Sequence, residues 1–331
     1  MLSAALTGPI VSAVTNDAIS SGVIGFWIVL SSLFIGLTVV TLVNTWRTSY
    51  GENMTRKLAR EVNLALPDEL WPEVRHHLMW RLRGSLIGGA LGFLGLVLIV
   101  RPWEPRAAAG TEVSLIGLSV VFFGNQLGAA VGGMLARRRS VGSIRTARLQ
   151  PITHRELVAP LWRRLAVVAA VAGLASAIAF TAAATVLPRV ESGFFADVPL
   201  LFVAAVCTAL LAAAMPRIAQ RFAASRALAG DDYALAWSDA LASRTVRDLS
   251  IGVIWAGFAT VATAFASVGR LLPADRQLAV FQFQSVATVL MVLVVIAVLL
   301  IVLVTSPDRH LQRTVWPELA LDTVLDNRDA Q

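Results

Sequence analysis

The sequence predicts an all-α integral membrane protein, a polytopic bundle of seven transmembrane helices. One leading helix is followed by three parallel repeats of a cytoplasmic elbow helix and a transmembrane hairpin. Three observations point there. The 331 residues are 56% hydrophobic and 15% charged, whereas soluble domains hold ~45–50% apolar and ~25% charged residues. Seven stretches reach the roughly 20 apolar residues that a helix needs to cross the hydrocarbon core. A tryptophan–acid element recurs at nearly fixed spacing between them. The composition excludes a disordered chain and a disulfide-stapled secreted domain, and no nucleic-acid partner is expected.

Residues 1–20 are expected outside the membrane, without the basic start of a cleavable signal peptide. The apolar stretches then run at about 21–45, 84–100, 114–136, 165–187, 198–216, 249–268 and 285–305, which sets a transmembrane domain at 21–305. The fifth is rich in alanine and is expected inside the bundle. The seventh, nearly all Val, Leu and Ile from Val286 to Val304, is expected against lipid. Residues 306–331 form a cytoplasmic tail. The single cysteine, Cys207, lies in the fifth stretch and can form no internal disulfide.

Basic residues orient the chain, because short cytoplasmic loops hold excess Lys and Arg. Lys57 is the only lysine among the 28 basic residues. The connections at 46–83, 137–164, 217–248 and 306–331 carry 23 of the 28, and the opposite set carries 5. The N-terminus is therefore predicted outside, the C-terminus in the cytoplasm, and the location a plasma (cytoplasmic) membrane. Counting acids as well, the inner face nets +8 and the outer face −1. Anionic headgroups are the expected partner of that charge, at on the order of 1 kcal/mol per basic residue near the surface.

The recurring element gives the chain an internal period. Trp71-Pro72-Glu73 is matched by Trp316-Pro317-Glu318, and more loosely by Trp237-Ser238-Asp239 and by His154-Arg155-Glu156. Trp71, His154 and Trp237 are 83 residues apart, and Trp316 follows after 79. Arg81, Arg164 and Arg247 each stand ten residues beyond an anchor. The repeats span about 55–136, 140–216 and 222–305, with a partial fourth in the tail. Tryptophan suits the headgroup level, a carboxylate suits the first turn of a helix, and arginine can hold its guanidinium among phosphates. Arg81, Arg164 and Arg247 are thus expected on lipid headgroups. Trp71, Glu73, His154, Glu156, Trp237, Asp239, Trp316 and Glu318 are expected at the interface, either anchoring the hairpins or docking a partner.

Within the bilayer, Gly84, Gly88 and Gly92 recur every four residues, as do Gly124, Gly128 and Gly132. Such ladders let helix backbones approach closely. They predict a tight hairpin of the second and third spans, or a homo-oligomer through the same faces. Asn125 and Gln126 lie beside the second ladder as interhelical contacts or as polar groups facing a cargo.

No ionisable residue falls in the core of a predicted span, which disfavours a proton-coupled antiporter or a voltage sensor. The sequence also lacks the nucleotide, zinc-protease and nucleophile-elbow motifs, and no cofactor or metal is expected. His76 and His77 point about 100° apart on a helix and make a poor chelating pair. Three functions fit. The first is a membrane subunit of a transport or export system, acting with a separate cytoplasmic partner such as an ATPase docked on the elbows. The second is a non-transporting scaffold or assembly protein that binds anionic lipid or partner membrane proteins. The third is a membrane-embedded transferase using Asp231 and Asp232.

Overall fold

Helix length measured against the bilayer organises this molecule. The computed structural model describes residues 32–100, 111–139, 153–186, 197–224, 232–268 and 309–319, with scattered helical positions between 282 and 300. Among these residues there is no β-strand. The elements are α1 (Ser32–Asn44), α2 (Thr48–Val62), α3 (Trp71–Val100), α4 (Thr111–Arg139), α5 (His154–Leu157), α6 (Pro160–Val186), α7 (Asp197–Ala224), α8 (Asp232–Val268) and α9 (Arg309–Val315), followed by a 3-10 turn at Pro317–Leu319.

Four described segments are long and apolar enough to cross a membrane: Ser119–Arg137, Pro160–Ala183, Leu201–Arg221 and Asp232–Phe265. The apolar helix Ser32–Asn44 is shorter. Large exposed side chains such as Val39, Leu91, Val171, Val203 and Leu210 coat the outside, far more apolar surface than a water-soluble monomer exposes. The described residues are essentially all helical, and their four long apolar helices are compatible with a multi-pass membrane protein. The expected outer segment 1–20, most of the seventh stretch and Asp231 lie outside the described residues.

α3, α4, α6, α7 and α8 hold 30, 29, 27, 28 and 37 residues. At 1.5 Å per residue they reach about 40–55 Å, well beyond a hydrocarbon core of about 30 Å. The excess collects at one end. There α2, α5, α9 and the ends of the long helices share a core that contains Leu64, Leu157, Trp162, Trp237, Leu241 and Leu311. Full burial of such side chains stabilises by about 1.5–3 kcal/mol each. This end is a packed helical head rather than a set of separate interfacial elbows. In α3 and α8 no helix breaker stands between the tryptophan element and the apolar segment, so each is one continuous helix. Only the His154 element is cut off, as α5, just ahead of Pro160.

α8 is the central helix and packs on α4, α6 and α7. Of its spanning segment 61% is buried, against 17% for α7. The alanine-rich fifth stretch is therefore peripheral, contrary to expectation. Alanine adds little area on any face, so its abundance does not report which way a helix looks.

α3 and α4 make the closest pairing. A Cβ on Gly84 would sit 2.9 Å from the Gly132 Cα, and one on Gly88 would sit 2.8 Å from the Gly128 Cα. Both would also run into the opposing carbonyl oxygens of Gly128 and Gly124. Gly92 meets the backbone of Val120 and Val121 in the same way. These glycine faces are filled from within the chain. A second close approach joins α6 to α8, where a Cβ on Gly257 would strike the Ala169 backbone. A single glycine carries no periodic signal, and sequence reasoning missed it.

α2 ends where Asn63 turns left-handed at φ 59°, a conformation asparagine tolerates better than most residues. The Leu64 N–H then returns to the Ala59 carbonyl, and the Leu64 side chain drops into the head core.

Candidate functional site

The polar groups converge inside the head, on the first half of α8. Trp237 is fully buried and donates from Nε1 to the Ala65 carbonyl at 2.9 Å, which ties α8 to the turn after α2. Asp239, two residues on, is also buried, and its Oδ2 accepts from Trp316 Nε1 at 3.0 Å. Ser243 donates to the Leu157 carbonyl at 2.5 Å, and Arg244 reaches Glu61 at 3.5 Å. Asp248 is 2% exposed. Its Oδ2 receives both Nε and Nη2 of Arg81, at 2.7 and 2.5 Å. One helix thus anchors α2 and α3 from the side of Trp237, Arg244 and Asp248, and α5 and the C-terminal element from the opposite side, through Ser243 and Asp239.

α4 joins through Arg137, which is buried and donates to the Ser238 carbonyl at 2.8 Å. Gly133, one turn earlier, lets α4 close on its neighbours. A Cβ there would lie 3.1 Å from Thr245 Oγ1 and 3.4 Å from His77 Nε2. His77 lies in the part of α3 that precedes the apolar segment, and its Nε2 has no hydrogen-bond partner among the described residues. Burial, followed by the positive charges of Arg137, Arg81 and His76, pushes its pKa down to about 3. His77 is therefore a neutral imidazole between two guanidinium groups.

The expected interface residues separate into two groups. Trp237 and Asp239 are internal struts and present no surface to a partner. Glu156 is half-buried and caps its own helix, accepting the Thr153 N–H at 2.7 Å, half of a capping box. Trp71 and Trp316 are half-buried, while Glu73 and Glu318 are exposed. Of the three arginines expected at headgroups, Arg81 is drawn inward by Asp248 and Arg247 is half-buried. Arg164 is exposed. Arg81 gives both Nε and Nη2 to the Asp248 carboxylate, and that charge-assisted contact turns it away from the headgroup level.

The intramembrane amides also face protein. Asn125 Oδ1 accepts from Ser85 of α3. Gln126 points its Cβ at Gly252 of α8, 3.4 Å from where a Cβ would stand. Asp232 is exposed in the first turn of α8, two turns from Asp239, whose carboxylate already serves Trp316. Among the described residues no group of three His, Cys, Asp or Glu side chains could hold a metal ion.

Sequence reasoning missed Asp248, Arg137 and His77 as parts of this site. The available signal was the acid beside Arg247 at the foot of the sixth apolar stretch. Counting charges for topology merges that acid into a sum. No family model, curated protein or solved structure matches this chain.

Proposed function

We propose that this is a seven-span protein of the plasma membrane, N-terminus outside and C-terminus cytoplasmic, that organises other membrane or cytoplasmic components. In this reading the head lies on the cytoplasmic side and derives from the 83-residue repeats of elbow and hairpin. The carrying observation is the knot on α8, where Asp248, Asp239 and Trp237 fix α2, α3 and the C-terminal element to one helix. A rigid head with exposed Glu73, Arg164 and Glu318 is suited to presenting a fixed surface. The contact of Asn125 with Ser85 supports the same reading, because it occupies that amide in helix packing.

Purification from the native host in mild detergent, with cysteines at Glu73 and Glu318 for crosslinking, tests this. A protein should crosslink at both positions, and Glu73→Arg with Glu318→Arg should release it while the membrane level of the chain is unchanged. Absence of any crosslinked protein in intact cells would defeat the proposal. A membrane subunit of a transport system would use the same surface for a cytoplasmic ATPase. It would be distinguished by a cargo flux that Asn125→Leu abolishes without loss of assembly.

A further inference from the structure

The charge on α2 is arranged differently from the charge inside the head. Its inward face is Gly51, Thr55, Leu58 and Val62, all buried. Arg56, Lys57 and Arg60 lie on the opposite face and are exposed, beside exposed Ser49 and Asn53. Of the acids on this helix, Glu61 is drawn to Arg244 at 3.5 Å and reaches Lys57 only loosely, at 3.8 Å. Glu52 is half-buried. The outward stripe is thus a basic surface without an exposed acid.

Three contacts fix where this stripe lies. Arg83 donates to the Thr45 hydroxyl and carbonyl at 3.0 and 3.3 Å and stacks over Trp46 at 5.2 Å. Trp46 itself is 64% exposed at the end of apolar α1, the place an interfacial tryptophan occupies. Next, Gly51 faces Arg75 and Met79 of α3, one to two turns below Arg83. Finally, Ala65 meets Trp237, eleven residues, or about 16 Å of helix, below the Asp248 level. α2 therefore leaves the end of the apolar helix α1 and runs obliquely along α3. Arg56, Lys57 and Arg60 lie about two to three turns into α2, on long side chains that can reach back toward the level of Trp46.

We propose that the basic face of α2, beginning at Trp46 and Arg47, docks the anionic phospholipid headgroups of the adjacent leaflet. Membrane continuity favours lipid over a soluble acidic protein, since the stripe starts at the bilayer surface and needs no partner to bring charge to it. This proposal rests on the membrane reading and not on the scaffold role. Vesicles with the same lipids in both leaflets make the outcome independent of orientation.

The test uses the full chain with Cys207→Ser and a fluorophore at Asn53→Cys. It is placed in phosphatidylcholine vesicles containing trace phosphatidylglycerol or phosphatidylcholine that carries a shallow acyl-chain quencher. The anionic quencher should act at a far lower fraction, with a preference on the order of a hundredfold for three cations acting together. Arg56→Glu, Lys57→Glu and Arg60→Glu together should remove that preference. High salt should remove it in the unaltered protein, which keeps the test decisive where the triple variant fails to fold. Equal quenching by both lipids, or a preference that survives salt, would overturn the proposal. Weak quenching by both would instead assign the face to a soluble partner.

Discussion

Arg81 of α3 and Asp248 of α8 form an ion pair across 167 residues of sequence, with the carboxylate almost sealed from solvent. Removing one partner of a buried pair leaves an uncompensated charge and costs about 3–5 kcal/mol. Asp248→Leu and Arg81→Met should each destabilise the protein by that order in detergent. The double variant Arg81→Met with Asp248→Leu should recover most of the loss, because apolar replacements of similar volume remove both desolvation penalties together. Thermal melts of the four proteins form a cycle that checks this. Equal additive losses would show that the pair is not coupled.

The α3–α4 contact gives a prediction with an internal control. Gly88→Ala should destabilise by about 1–3 kcal/mol, since its Cβ has no place except in the Gly128 backbone. At Gly95 nothing lies within 4 Å of an added Cβ, so Gly95→Ala should be neutral, or stabilising by up to about 1 kcal/mol through helix propensity. Opposite signs in melts of the two variants would locate the effect in packing rather than in alanine itself.

Spans and head differ in how legible they were. Apolar length alone exposes the spans at 114–136, 165–187, 198–216 and 249–268, because the bilayer imposes one length on every helix that crosses it. Period-four glycines are equally local. The head is another matter. Trp71, Trp237 and Trp316 look alike in sequence, yet Trp237 is sealed under α2 while the other two are half-buried. Arg81 and Arg164 share a register, yet one meets Asp248 and the other meets solvent. Such differences come from which helix lies alongside, and a spacing of 83 residues carries no information about neighbours. Charge counting for topology also conceals pairs like Arg81 and Asp248, since both sit at a membrane boundary where charge is already expected.

The C-terminal element should be released by a single substitution. Trp316 Nε1 donates to Asp239, and Leu311 is buried in the head core. Trp316→Phe keeps an aromatic side chain but loses the N–H together with the fused five-membered ring, and the lost hydrogen bond to the buried acceptor should cost about 1–3 kcal/mol. That loss falls locally on α9 and the turn after it. Limited proteolysis should therefore cut near residues 309–319 faster in Trp316→Phe, while the melting of the whole protein changes little. Unchanged cleavage would mean that Leu311 and its neighbours hold the element without the tryptophan.

His77 sets the expected pH dependence. Its ordinary value of 6.5 is pushed down to about 3 by burial and by Arg137, Arg81 and His76. Between those values the unfolded chain binds a proton that the folded protein refuses, so acid favours unfolding. The contribution of this residue is fully present above about pH 6.5, falls steadily as pH drops, and is exhausted near pH 3. Carboxylates whose pairing lowers their pKa act in the same direction but over a lower range, near pH 4 and below. Over the window from about pH 6.5 to 5 those carboxylates contribute little, and comparison with a variant at this position gives the share of His77. His77→Phe, which replaces the imidazole with a ring that has no titrating nitrogen, should flatten the fall of melting temperature across that window. An unaltered slope would show that His77 admits its proton in the folded state, with the head opening at Gly133 and Thr245 to solvate it.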